Sequence, residues 1–161
     1  MRIFVSCFLI SAILAISHPL LTWADQNDPR LDQLFADLQT PLSTTAVEDI
    51  ETKIWAYWTS FPDDESVENT MTKATQLMQA GQLQSAERIL SRIIDRVPDF
   101  SEAWNKRATV RFIIGNHDGS ANDIAKVLQL EPRHFGALSG LGMIHMRAGN
   151  WESALKSYKA A

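Results

Sequence analysis

The side chains able to do acid–base, nucleophilic or metal chemistry are few and scattered. The single cysteine, Cys7, lies in an N-terminal apolar run. His117, His134 and His145 have no acidic or second histidine partner at ligand spacing. A zinc site needs three or four convergent ligands, so these histidines are assigned to surface or turn positions. Asp63, Asp64, Glu65 and Glu68 form an acidic cluster. It reads as a solvated helix start, where carboxylates favour the helix dipole. Trp55, Tyr57 and Trp58 share a predicted helix face and read as core rather than as a sugar platform. No nucleophile elbow, phosphate loop, haem-attachment motif or zinc-protease motif is present. No residue is therefore assigned to catalysis, to a cofactor or to a metal, and the chain is not expected to be an enzyme.

The first 24 residues carry a different signal. Arg2 precedes an apolar run from Ile3 to Ile16, and Thr22-Trp23-Ala24 places small residues at the two positions a signal peptidase reads. This is the pattern of a cleavable secretory leader, with cleavage expected after Ala24. The run is short for a membrane-spanning helix, which needs about 20 residues. Cleavage would remove Cys7, and with it any disulfide or thiolate chemistry. It would also remove Arg2, taking the 15 Lys and Arg to 14 against 19 Asp and Glu, a net charge of −5. An acidic balance argues against nucleic acid, whose affinity comes mostly from Lys and Arg on phosphates.

The remaining residues are organised by a 34-residue period, the signature of repeat architectures. Gly81, Gly115 and Gly149 recur at that interval, as do Pro98 and Pro132. So do Ala74, Ala108 and Gly142, then Ala86, Ser120 and Ala154, then Leu90, Ile124 and Tyr158. The units run 67–100, 101–134 and 135–161, the last incomplete. Each reads as two helices joined at the glycine, which accepts the left-handed conformation that ends a helix. The first helix of each unit is expected to end near Ala80, Ile114 or Ala148. The small-residue columns let paired helices approach closely. Large apolar residues such as Leu77, Leu83, Leu90 and Ile94 recur at helical spacing and fill the space between hairpins.

These columns resemble the tetratricopeptide repeat (TPR) family. Trp104, Ala108, Ser120, Ile124, Val127 and Pro132 carry the likeness in the second unit. Leu138, Leu141, Gly142, Ala154 and Tyr158 carry it in the third. The chain departs from the pattern at Arg111 and His145, where the family usually has an aromatic, and at Thr70, where it prefers Trp. The stretches Ala103–Val110 and Glu131–Gly142 are similar to small exported repeat proteins of α-proteobacteria, which implies a periplasmic home. The resemblance implies an all-α fold: a right-handed superhelix of antiparallel hairpins that binds a partner protein or peptide on the concave face lined by each first helix. The lining positions it implies are Met71, Thr75 and Met78; Asn105, Thr109 and Phe112; and Ser139, Met143, Met146 and Arg147, with Glu68 and Glu102 beside them. Methionine is flexible and over-used on surfaces that accept varied apolar partners. Packing of adjacent first helices is the competing explanation for these methionines. Chaperone-binding members clamp a carboxylate with Lys, Asn and Arg on this face. Here the matching places hold Met71, Thr75, Asn105, Thr109, Ser139 and Met143, so that clamp is not expected.

Residues 25–64 fall outside the period and are expected to form a helical pair. Asp28-Pro29 reads as a helix start, followed by the stripe Leu31, Leu34, Phe35 and Leu38. Thr45 with Glu48 reads as a capping box for a second helix lined by Val47, Ile50, Ile54 and Trp58. The pair is expected to cap the first repeat, with the stripe against that repeat's outer edge; lying in the groove is the alternative. At the other end, the sequence stops at Ala161 within a helix. It therefore reads as a fragment, or as a chain whose last face is covered by a partner or a second copy. Two functional classes follow: an exported protein-binding module, or a self-associating structural protein.

Overall fold

A computed structural model describes residues 25–61 and 64–161. The expected leader, and Pro62 and Asp63 of the acidic cluster, lie outside the described residues. A 3-10 turn (Asp25–Asn27) is followed by α1 (Arg30–Leu38), α2 (Thr44–Thr59), α3 (Glu65–Gln79), α4 (Leu83–Arg96), α5 (Ser101–Ile113), α6 (His117–Leu130), α7 (Phe135–Arg147) and α8 (Trp151–Ala160). No strand occurs among the described residues.

The period is realised as three hairpins, α3/α4, α5/α6 and α7/α8, each packed on the next. The bends sit at Gly81, Gly115 and Gly149, with φ of 70°, 86° and 76°. Only glycine takes that conformation without cost. At each bend the following residue bonds back to the helix just ended. Gln82 N–H donates to the Leu77 carbonyl at 2.8 Å, Asn116 to Arg111 at 2.8 Å and Asn150 to His145 at 2.9 Å. These bonds satisfy carbonyls that a helix end leaves open. The small columns lie at the hairpin contacts. Ala74, Ala108 and Gly142 are buried, as are Ala86, Ser120 and Ala154. Ser120 shows how near the helices come, since its Oγ donates to the Ala108 carbonyl at 2.8 Å.

Leu90 is fully buried in a first core with Val67, Met71, Ile93, Ile94 and Phe100. Burying one such side chain is worth about 1.5–3 kcal/mol. A second core joins Ala108, Ile124, Val127 and Ala137 between the second and third hairpins. Arg111, a departure from the family pattern, has a partner that explains it. Its Nε meets Glu87 at 2.8 Å and its Nη1 meets Asp123 at 3.0 Å. Arg107 pairs with the same Asp123 at 2.8 Å, so one carboxylate on α6 holds two guanidinium groups of α5.

The N-terminal pair differs from expectation in two respects. Helix α2 is capped by Ser43, whose Oγ accepts from Ala46 N–H at 3.3 Å, rather than by a Thr45–Glu48 box. Ser43 has extended backbone angles that suit a cap, whereas Thr45 is already inside the helix. The stripe of α1 does not meet the outer edge of the first repeat. Leu31, Leu34, Phe35 and Leu38 cluster with Ile50, Ile54 and Trp58 of α2 and with Phe135 of the third unit. The aromatic residues of α2 draw the pair there, Trp55 and Trp58 packing against Phe135.

Candidate functional site

The N-terminal ends of α5 and α7 carry the residues preceding each first helix, Phe100 and His134, one repeat apart. Both are fully buried. Each is covered by an aromatic residue from the C-terminal part of α2 or just beyond it. Phe61 lies 5.2 Å from Phe100, and Trp58 stacks on His134 with ring centroids 4.1 Å apart and planes 9° from parallel. Trp55 meets Phe135 edge-on at 5.1 Å and His134 at 5.6 Å. The assignment of His134 to the surface or to a plain turn is therefore corrected. It caps α7, Nδ1 accepting from Ala137 N–H at 3.2 Å, and sits beneath Trp58 because stacking offers the ring an apolar face.

Glu102 also leaves the predicted lining set, because it is buried below that surface. His134 Nε2 lies 3.2 Å from its carboxylate, Asn105 Nδ2 donates to it at 2.8 Å, and Lys106 pairs with it at 3.1 Å. With Nδ1 accepting, Nε2 carries the ring proton and donates to Glu102. Burial alone would push the Glu102 carboxyl up. The hydrogen bond from His134, the charge of Lys106 and the Asn105 amide outweigh it and hold the group below its ordinary value of 4.5. Trp58 lies in the aromatic cluster and Trp55 is half-buried beside it, in line with their reading as core.

Helix α2 thus rests on the face that the resemblance assigns to ligands, and the expected groove becomes two openings. One is a cleft of about 640 Å³ between α2 and α3, where Met71 and Thr75 join Thr59, Ser60, Asn69, Thr72, Gln76 and Lys106. Its lining mixes amide and hydroxyl groups with apolar surface and is more polar than that of the second opening. The other is an apolar crevice of about 320 Å³ between α5 and α7. Asn105, Thr109, Phe112 and Met143 line it with Ala108, Ile113, Ile124, Gly136 and Gly140. The two glycines on α7 leave room that side chains would fill. Phe112 and Met143 also border a shallower depression with Met146 and Arg147. Met71 is buried in the first core and Met78 packs partly against it, so these two methionines serve packing. Ser139 is half-buried on α7 and lines neither opening. Sequence reasoning missed Ile113, Gly136 and Gly140. The glycines in Phe135-Gly136-Ala137-Leu138-Ser139-Gly140 were the available signal, because glycine inside a helix is costly unless something needs the space.

Residues 71–129 and 114–161 match the tetratricopeptide repeat model. The chain belongs to the tetratricopeptide repeat family. Repeats of this family mediate protein–protein interaction, and its modules are typically non-catalytic. A TPR repeat-containing protein of Rhizobium etli is 35% identical over 130 residues, 81% of this chain and 63% of that protein. A tetratricopeptide repeat and J domain-containing co-chaperone of Fusarium oxysporum f. sp. lycopersici is 32% identical over 62% of this chain and 19% of its own length. The chain therefore spans less than two thirds of these curated relatives. The crystal structure of MamA superposes with a TM-score of 0.56 at 20% identity, covering 83% of this chain and 77% of MamA. That likeness concerns the fold alone. Among the described residues, no helix is long and apolar enough to cross a membrane, and no three His, Cys, Asp or Glu residues gather as metal ligands.

Proposed function

We propose that this TPR protein is an exported interaction module that takes an apolar peptide segment of a partner protein in the crevice between α5 and α7. The observation that carries the reading is the run of exposed apolar surface at that crevice. Ile113, Met143 and Met146 are 58%, 43% and 45% exposed around half-buried Phe112. Large apolar side chains left open beside a concavity mark interaction sites. The crevice accommodates one bulky apolar side chain, with exposed Thr109 at its edge offering a hydroxyl oxygen to a peptide N–H. The periplasm is the proposed compartment, supported by the leader-like first 24 residues. Fluorescence anisotropy with peptides carrying a single Phe or Leu in a polar background tests the reading. Binding should weaken about tenfold or more in the Phe112→Asp/Met143→Asp variant at unchanged melting temperature. Equal affinity in the two proteins would end it.

A second reading, pairing of α8 with another copy, is favoured by one feature. Trp151, Leu155 and Tyr158 follow helical spacing and are 68%, 55% and 39% exposed. Light scattering that gives a monomer mass at high micromolar concentration would reject it.

A further inference from the structure

The seat of α2 is itself built like a binding site. Trp55, Trp58 and Phe61 are spaced by three. They land on Phe135, His134 and Phe100, the last two being one repeat apart. Gly136 completes the match, because a Cβ there would stand 2.8 Å from Cη2 of Trp55. The residue must be glycine for that ring to settle. The seat is also costly. Trp58 is fully buried, yet its Nε1 has no hydrogen-bond partner. A buried donor without a partner loses its hydration for nothing. The ties beyond the rings are polar: Gln26 to Ser101 and Asp99, and Arg133 to Asp32 at 2.7 Å. Local openings are drawn from such thinly held elements.

We infer that the surface formed by Phe100, His134, Phe135 and Gly136 is a second recognition site. Its ligand is an amphipathic helix of a partner protein bearing aromatic residues three apart, and α2 occupies it in cis. The inference rests on the reading of this face as the binding face, but it shares only Gly136 with the crevice and uses neither Phe112 nor Met143. Residues 55–61 are the template for the ligand: Trp55 and Trp58 sit on the last turns of α2 and meet Phe135 and His134, and Phe61, just past the end of the helix, reaches Phe100 one repeat away. A partner helix with the same spacing and a donor-free ring in place of Trp58 would displace α2.

Two measurements on the full chain test this. In hydrogen exchange, amides of α1 and α2 should exchange about tenfold or more faster than those of α5 and α6, reporting a local opening. Equal protection would overturn the inference, and this result needs no variant. In the second, a fluorescein-labelled peptide of residues 43–61 is titrated into wild type and into Trp55→Ala/Trp58→Ala. The variant, its seat emptied, should bind about tenfold or more tighter, because wild type must first release α2. The same peptide with both tryptophans replaced by alanine should not bind. Equal binding by both proteins would overturn the inference. So would a wild-type dimer exchanging α2 between copies, which would give the seat to a second copy. The Phe112→Asp/Met143→Asp variant should take up the labelled peptide as wild type does, so failure of the crevice reading and failure of this one are told apart.

Discussion

Gly140→Ala and Gly142→Ala, two residues apart on α7, separate repeat geometry from helix propensity. Each places one methyl group in the same helix interior and gains about 1 kcal/mol of propensity. At Gly140 the new Cβ would stand 3.2 Å from Cδ1 of Ile124, the end of a flexible side chain that yields. That variant should be stabilised by about 0.5 kcal/mol. At Gly142 the Cβ would meet Cζ, Cε1 and Cε2 of Tyr158 at 2.7, 2.8 and 2.9 Å. An aromatic ring lying flat on the site has no small end to move, so Tyr158 or all of α8 must retreat. Overpacking of this kind costs about 1–3 kcal/mol. Gly142→Ala should therefore be neutral to about 2 kcal/mol less stable than wild type. It should fall about 0.5–2.5 kcal/mol below Gly140→Ala, or roughly 2–10 °C in melting temperature. Urea and thermal unfolding followed by circular dichroism measure the difference directly, and Gly142→Leu should be worse than either. A Gly142→Ala protein that melts at or above Gly140→Ala would refute the placement of Tyr158 over Gly142, and with it the closure of the third hairpin.

Three further outcomes follow. Asp123→Ala strips the buried Arg107 guanidinium of its carboxylate and leaves Arg111 with Glu87 alone, and should cost about 3–5 kcal/mol in urea unfolding. Ser43→Ala should cost about 1 kcal/mol while Thr45→Ala costs little, since the hydroxyl of Ser43 caps α2. Because the Glu102 carboxyl titrates below 4.5 in the folded chain, the unfolded chain binds more protons between the two values. The Glu102 contribution is thus present above pH 4.5 and lost as pH falls through the folded value. The acid limb of the stability curve should be shallower in Glu102→Gln than in wild type. An identical limb would mean that Glu102 is not held ionised by His134 and Lys106.

The repeat was legible because its determinants are local and recur. Gly81, Gly115 and Gly149 mark positive φ, and Ala74, Ala108 and Gly142 mark close approach. Such requirements show in one residue at one position. The path of α2 was not legible, because it depends on which aromatic surfaces meet across the chain. Trp58 and His134 are brought together by tertiary packing alone, and a lone histidine before a helix gives no hint of a stacking partner. Glu102 was assigned to the groove from its register on α5, which was sound, but the register does not say what lies above it. Of the predicted lining set, Asn105, Thr109, Phe112 and Met143 converge on one crevice, because Gly136 and Gly140 leave space opposite them. Met71 and Thr75 face a separate, more polar cleft.

Site-specific photocrosslinking tests the central claim most directly. A photoreactive phenylalanine analogue placed at position 112 in one chain, and at position 151 in another, reports what covers the crevice and what covers α8. Crosslinks to a different polypeptide from position 112, lost when Met143 is changed to Asp, are the predicted result. Crosslinks from position 151 alone, at twice the mass of the chain, would contradict it.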